Sequence, residues 1–230
     1  REKSGTSVEN VPIHHLDDLD SVIRKHAIRM AMIAVPAPAA QSVAERLVAA
    51  YGNINRSPLG AAALASSGFP IERNRLATLL GFEGLVENTY DANHVSPADI
   101  KTEFAAALAT SAVHIGQFVE DLHIQYHDPQ PWFQLQEGEL TGISSIMPQK
   151  RNPSALEQLR GISSRVIGDA QTTFFIAHNT STGMSDYRGP QQVLEAAEEA
   201  RRMYNLFGRV VESLVVNPKR SLAEVDNDYA

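Results

Sequence analysis

The segment covering residues 141–153, TGISSIMPQKRNP, concentrates side chains that can do chemistry. Ser144 and Ser145 supply two adjacent hydroxyls, and Lys150 supplies a positive charge shortly after them. Asn152 follows where a new helix is predicted to begin. The free N–H groups of a helix N-terminus, with a lysine beside them, form a ready site for a carboxylate or a phosphate. A serine on a loop next to such a site suggests a nucleophile or a base.

The same segment permits an interpretation without chemistry. Residues 128–151 contain three prolines and two glycines and separate two long predicted helices. A loop of that length inside a compact domain is usually functional or disordered. In an ordinary linker, however, serine, glycine and proline serve turn formation. The residue types alone leave both interpretations open.

Helices are predicted to hold this segment in place. Apolar positions recur at helical spacing from Leu16 to Met30, which predicts a first helix that ends or kinks at Pro36. Gly81 is expected to stop a short helix. Further helices are predicted over residues 39–54, 71–80, 97–127, 153–178 and 191–216.

Two predicted helix starts have the same form. Ser96 and Asn152 each provide a capping side chain before a proline, and Asp99 completes a capping box with Ser96. No window shows the alternation typical of a strand. The fold class is therefore predicted to be all-α, with long antiparallel helices forming a bundle. The predicted organisation is an irregular segment over residues 1–15, a helical-bundle domain over 16–217 and the start of a truncated C-terminal domain over 218–230.

Composition excludes several classes of protein. The 230 residues are 43% hydrophobic and 20% charged, as in globular proteins. A net charge of −7, without a basic run longer than two residues, argues against nucleic-acid binding. The most apolar window is interrupted by Arg29, Pro36 and Pro38 well before the roughly 20 residues of a membrane span. The absence of cysteine fits a reducing compartment, and a soluble, cytoplasmic protein is expected.

No metal and no cofactor are predicted. His123 and His127 have metal-ligand spacing on a helix, but no third ligand lies near them in sequence. Histidines near the end of a helix are also favoured by the helix dipole alone. Trp132 and Phe133 can line a site, although anchoring the loop to the bundle is the favoured interpretation.

A family resemblance changes the weight of these alternatives. SSIMPQKRNP resembles the signature loop of the aspartase/fumarase superfamily, whose pattern is G-S-S-x-M-P-x-K-x-N-P. Residues 56–92 are similar to the argininosuccinate lyase branch, where P-L-G-x-x-A-L-A precedes F-P-I-[DE]-R and E-N-[ST]-x-D-A. Residues 212–230 resemble the passage into the C-terminal domain of that branch. The resemblance covers about residues 55–230.

The resemblance implies a lyase that eliminates fumarate from an N-substituted aspartate, argininosuccinate in the first instance, without a cofactor. It implies that Ser144 is the base that removes the Cβ proton, and that Lys150 and Asn152 bind the adjacent carboxylate. Ser145 is then a second hydroxyl that supports the loop or the substrate. It also implies a homotetramer whose protomers share their active sites around a small-molecule substrate.

Three departures from the family pattern limit this expectation. Ile143 stands between Gly142 and Ser144, where the family has Gly-Ser-Ser. The S-x-N-D and T-H-x-Q segments of the family are missing, so the chain is expected to be a fragment, to have lost residues or to be degenerate. HNTSTGMSDYRG, residues 178–189, replaces the Y-N-x-D-L-Q-x-D-K run that recognises the amine, and leaves Tyr187 and Arg188 as candidate substrate contacts.

Two alternatives follow from these departures. A sister carbon–nitrogen lyase would act on another succinyl-amine, such as an aminopolycarboxylate, and the changed residues 178–189 favour it. A non-catalytic helical scaffold of the same fold is favoured by the missing N-terminal motifs.

Overall fold

A computed structural model describes residues 7–8, 11–12, 37–63, 66–147, 149–181, 191–220 and 222–223. The chain divides into two compact units, Arg1–Ile33 and Ala34–Ala230. In the first unit, Ser7–Val8 (β1) pairs antiparallel with Val11–Pro12 (β2). The helix predicted from Leu16 to Pro36 lies outside the described residues, and the predicted domain boundaries stay predictions.

The second unit consists mainly of helices, and the all-α prediction is confirmed. The five helices predicted over described residues each begin within two residues of the predicted start. The helices are α1 (Ala37–Ile54), α2 (Arg73–Leu80), α3 (Thr89–His94), α4 (Ser96–Gln125), α5 (Ser154–Ala177) and α6 (Gln191–Glu212). No helix in the described ranges is both long and apolar enough to cross a membrane.

Short strands join segments that are distant in sequence. Parallel pairing joins Arg56–Ser57 (β3) to Gly84–Leu85 (β4). Antiparallel pairing joins Phe133–Leu135 (β5) to Leu214–Val216 (β8). The prediction of a helix through residue 216 is therefore wrong in its last turn, because residues 214–216 extend to pair with β5.

Helix α2 is capped at both ends, and it stops at Gly81 as predicted. The Glu72 carboxylate accepts the N–H groups of Asn74 and Arg75 at 3.2 and 2.8 Å. Gly81 ends the helix with a φ of 80°, a left-handed conformation that glycine adopts without the cost of a side chain.

Both predicted side-chain caps before proline are wrong. Ser96 lies inside α4, and its N–H and Oγ both donate to the Asp91 carboxylate, at 3.1 and 2.8 Å. Asn152 lies in a strand, and Pro153 takes the N-cap position of α5 without a side-chain cap bond. In each case a contact with another element, Asp91 of α3 or a paired strand, overrides the capping signal.

A regular spacing of buried residues holds α4, α5 and α6 together. Apart from Ala107, Ser111, Ala155 and Ile162, the buried positions in each helix alternate between three and four residues apart, which forms one largely apolar stripe along the helix. They are residues 105, 108, 112, 115, 119 and 122 in α4, residues 156, 159, 163, 166, 170 and 173 in α5, and residues 193, 196, 200, 203, 207 and 210 in α6.

Contacts between these stripes define the helix directions. The early residue Ala105 of α4 packs with the late residue Ala170 of α5, and with Val193 at the start of α6. The Phe118 ring lies 5.6 Å from the Phe207 ring in an edge-to-face contact. Hence α4 and α5 run antiparallel, and α6 runs parallel to α4. The predicted antiparallel packing holds for the successive helices of the bundle.

Candidate active site

The predicted signature segment forms a hairpin between α4 and α5. Gly142–Ile143 (β6) pairs antiparallel with Arg151–Asn152 (β7), with Gly142 opposite Asn152 and Ile143 opposite Arg151. We call residues 142–152 the hairpin. Its two short strands bring the predicted Ser144 and Lys150 to the two ends of the connecting turn.

The hydroxyl of Ser144 is held by the backbone of this turn. The N–H of Met147 donates to Ser144 Oγ at 3.2 Å. The carbonyl of Met147 accepts the N–H of Lys150 at 2.9 Å. Ser144 is half-buried, whereas Ser145 and Lys150 are exposed. The backbone of Met147 therefore links the predicted base to the predicted lysine, a connection that the sequence did not indicate.

The strand register predicts which side chains share a face of the hairpin. Side chains alternate between the two faces of a strand, and directly opposed residues point to the same face. Gly142 and Asn152 therefore share one face, and Ile143 and Arg151 share the other. Ser144 and Lys150 lie one residue beyond the paired positions, and an alternation that continued to them would put both on the face of Asn152.

Close contact with the start of α5 fixes the base of the hairpin. A Cβ atom built on Gly142 would collide with the Oγ of Ser154 and would lie 3.5 Å from the Cβ of Asn152. The N–H of Ala155 donates to the carbonyl of Leu140, which is buried, at 3.1 Å. Consequently one of the helix-start N–H groups expected to bind an anion is already occupied.

Two ion pairs hold the segment that precedes the hairpin. Arg151 Nε lies 2.8 Å from Glu137 Oε1, and Arg209 Nη2 of α6 lies 2.7 Å from Glu139 Oε2. Sequence reasoning missed both carboxylates, because Glu-Gly-Glu in a loop gives no signal of its partners. The remaining predicted contacts, Tyr187 and Arg188, lie outside the described residues.

The loop before the hairpin is tied to the end of α4. Gln125 Oε1 accepts the N–H of Trp132, and the hydroxyl of Tyr126 accepts the N–H of Leu135, each at 2.9 Å. Burial raises the pKa of Tyr126, while the bond from Leu135 opposes that shift. These contacts support the interpretation in which the region of Trp132 and Phe133 anchors the loop.

His123 lies on α4 and His127 lies two residues beyond its end, and a side chain of α5 contacts His123. Arg160 of α5 places its Nη1 2.9 Å from His123 Nδ1 and its Nε 3.0 Å from Glu120 Oε2. The rings of His123 and His127 lie 6.4 Å apart. Within the ranges that the structure describes, no group of three or more metal-ligating side chains occurs.

An acidic cleft lies elsewhere in the second unit. It has a volume of about 360 Å³, and none of the predicted site residues lines it. Four carboxylates face one guanidinium there. They belong to Glu87, Asp91, Asp99 and Glu103, with Arg56 as the cation.

Comparisons with known proteins agree with the sequence motifs. A family model described as "Lyase" matches residues 26–168. Argininosuccinate lyase 2 of Agrobacterium fabrum is 36% identical over 185 residues, covering 76% of this chain and 35% of the relative. The chain thus spans little more than a third of the length of that curated relative.

Solved structures give the same fold. An EDDS lyase variant with bound fumarate superposes with a TM-score of 0.66 at 30% identity, covering 79% of this chain and 36% of that one. The class II fumarase of Schistosoma mansoni superposes with a TM-score of 0.64 over 79% of this chain and 43% of its own. At 18% identity, the fumarase supports the fold alone.

Proposed function

We propose a reaction for this chain from one premise: it belongs to the lyase family, on the argininosuccinate lyase branch of the aspartase/fumarase superfamily. The reaction is elimination of fumarate from an N-substituted aspartate, with cleavage of the carbon–nitrogen bond. With argininosuccinate as substrate, the other product is arginine. The observation that carries the proposal is the grouping of Ser144, Lys150 and Asn152 in one hairpin.

Ser144 is the proposed base. A serine hydroxyl is a weak base, so its ionised form has to be stabilised by nearby donors. The N–H of Met147 already donates to Ser144 Oγ, and such a bond becomes shorter and stronger when the acceptor carries a negative charge. A backbone donor is fixed before the reaction begins, which is the condition for effective electrostatic stabilisation.

The proposed elimination proceeds in two stages. Ser144 Oγ takes the proton from Cβ, and the electron pair of that bond moves into the adjacent carboxylate to give a dianion. The electron pair then forms the double bond of fumarate as the Cα–N bond breaks. The amine leaves with the bonding pair and takes one proton from an acid that remains unassigned.

Lys150 and Asn152 are the proposed partners of the carboxylate that receives the charge. The ammonium of Lys150 attracts this carboxylate more strongly as the dianion than in its singly charged form in the substrate, so it lowers the barrier rather than binding both states equally. The Asn152 amide adds a donor on the same predicted face. Ser145, which is exposed, is left as a hydroxyl for substrate or loop contacts.

The proposal includes a cytoplasmic homotetramer with shared sites. The side chains of Ile143 and Ile146 are 83% and 87% exposed at the hairpin, which is unusual for large apolar groups and fits burial by other protomers. The site is then completed by groups from neighbouring protomers, among them the missing acid.

The direct test is release of fumarate by the purified protein, followed by its ultraviolet absorbance. Argininosuccinate is expected to give fumarate and arginine in equal amounts. Addition of fumarate and arginine together should regenerate argininosuccinate. If neither direction proceeds with any succinyl-amine, the chain acts as a non-catalytic scaffold and the proposal is wrong.

A sister reaction is the second candidate. It is supported by the likeness to an EDDS lyase with bound fumarate and by the absence of the family's amine-recognition run from residues 178–189. A substrate panel separates the candidates. Turnover of an aminopolycarboxylate such as EDDS, with none of argininosuccinate, would assign the sister reaction.

A further inference from the structure

We infer that Glu137 is a positioning residue, which turns the active face of the hairpin toward the substrate by holding Arg151 on the opposite face. The inference rests on the proposed function. Glu137 makes no contact with the reacting groups in this account, and it acts through the strand that carries Lys150 and Asn152.

The contact itself is short and joins two different segments. Glu137 Oε1 lies 2.8 Å from Arg151 Nε, and the partners are 70% and 37% exposed. Arg151 is the residue between the two predicted carboxylate-binding residues. Any rotation of strand β7 that moves Arg151 therefore also moves Lys150 and Asn152.

The alternation of side chains along β7 lets this ion pair orient the strand from the side opposite to the substrate. Neighbouring residues in a strand point to opposite faces. Arg151 therefore points away from the face of its strand neighbour Asn152. An ion pair on the far face fixes the orientation of the near face without occupying the space that a substrate needs.

Glu137 is itself held by a compact turn. Thr141 Oγ1 accepts the N–H of Gly138 at 3.1 Å and donates to the carbonyl of Gly138 at 3.2 Å. The φ of Gly138 is 146°, a conformation that side chains disfavour. Leu140 is bonded to α5 through Ala155. The carboxylate of Glu137 is thus attached to an anchored base, so it restrains Arg151 rather than following it.

The nearby pair of Glu139 and Arg209 offers a matched control. It is equally short, at 2.7 Å, and its partners are 86% and 53% exposed. It joins the same turn to α6 but does not reach the hairpin. Removing its charge therefore changes a similar surface ion pair without releasing Arg151.

The experiment is a double-mutant cycle of Glu137→Gln and Arg151→Gln, with Glu139→Gln as the control. Exposed ion pairs have small energies, so Glu137→Gln should lower kcat about two- to fivefold. KM should change less than kcat, because the loss is expected in the alignment of the dianion partners. The double variant should lose no more than Arg151→Gln alone, because that substitution already removes the contact with Glu137.

A second readout is independent of activity. Glu137→Gln should speed hydrogen exchange of the hairpin amides, while Glu139→Gln should leave them as in the unmodified protein. The inference is overturned if Glu137→Gln matches Glu139→Gln in both kcat and exchange, or if the two substitutions in the cycle are additive. If even the unmodified protein releases no fumarate, the proposed function has failed, and the exchange data still decide whether Glu137 holds the hairpin.

Discussion

The hairpin and the bundle of α4, α5 and α6 are built on opposite principles. The bundle buries a stripe of apolar side chains in every helix, and fully buried Leu156, Leu159 and Phe207 lie on those stripes. The hairpin has paired strands of only two residues, and Ile143 and Ile146 lie almost wholly in solvent. A few backbone bonds and an exposed ion pair hold it.

This difference predicts a separation of stability from chemistry. Burial of apolar surface dominates the free energy of folding, so the bundle should carry stability. Segments that bind and react are commonly drawn from regions with few buried contacts. Substitutions in the hairpin should therefore change turnover in a folded protein, and substitutions in the bundle should change unfolding.

The largest expected effect comes from the hairpin. Ser144→Ala should lower kcat about 10²- to 10⁴-fold, the usual contribution of a general base. The free energy of unfolding should stay within about 0.5 kcal/mol, because Ser144 is only half-buried. Ser164→Ala, at an exposed serine of α5, is the control and should retain full activity. Full activity of Ser144→Ala would remove the serine from the mechanism.

The next effect comes from the bundle. Phe207→Ala should destabilise the protein by about 3–5 kcal/mol, because it leaves a cavity where the ring is fully buried against Phe118. Chemical denaturation measures the change, and kcat per folded molecule should be retained. The matched control is Phe175→Ala, since the Phe175 side chain is 67% exposed. Equal destabilisation by both variants would contradict this account of the core.

A third effect tests the charge at the hairpin. Lys150→Met keeps the length of the side chain and removes its ammonium, so kcat/KM should fall by about 10²-fold through lost stabilisation of the dianion. Lys219→Met removes an exposed lysine at a distant position in sequence and should have no such effect. Equal rates for Lys150→Met and the unmodified protein would show that the lysine does not meet the developing charge.

The smallest effect concerns the charge balance between α5 and α6. Burial, followed by the negative charges of Glu195 and Glu199, raises the pKa of Asp169 above its ordinary value of 3.8, while Arg165 opposes the shift. A raised pKa in the folded state means that protonated Asp169 favours folding and that this contribution is lost as pH rises through that pKa.

Asp169→Asn should therefore stabilise the fold at neutral pH, by no more than about 0.5 kcal/mol because the side chain is partly open to solvent. The gain should shrink as pH falls through the raised pKa toward 3.8. Denaturation curves at several pH values check this, and turnover should not change. A gain that stays constant with pH would exclude titration of Asp169 as its source.

The positions of the bundle helices were easier to predict from the sequence than the contacts that the helix ends make. Helical periodicity located α4, α5 and α6, because each helix carries its own apolar stripe. In α6, Val193, Ala200 and Phe207 are buried, whereas Ala197 and Tyr204, which lie at helical spacing from them, are only half-buried. The hydroxyl of Tyr204 instead donates to Ser111 Oγ at 2.6 Å, and burial raises the pKa of Tyr204.

Local signals failed where another helix or strand supplied the partner. Ser96 is a good cap by its type, yet Asp91 of the preceding helix binds its N–H. Residues 214–216 continue a helical pattern, yet they pair with β5. The motif identified Ser144, Lys150 and Asn152 as candidates, but only the strand register indicates a shared face. The pairing of Glu137 with Arg151 has no sequence signature and required the fold.

The two-residue period of the hairpin makes its residue spacing strict. A single residue separates Lys150 from Asn152, so continued alternation would give the two side chains one face. One inserted residue between them would send the ammonium and the amide to opposite sides of the strand. Two inserted residues would restore the side but lengthen the separation.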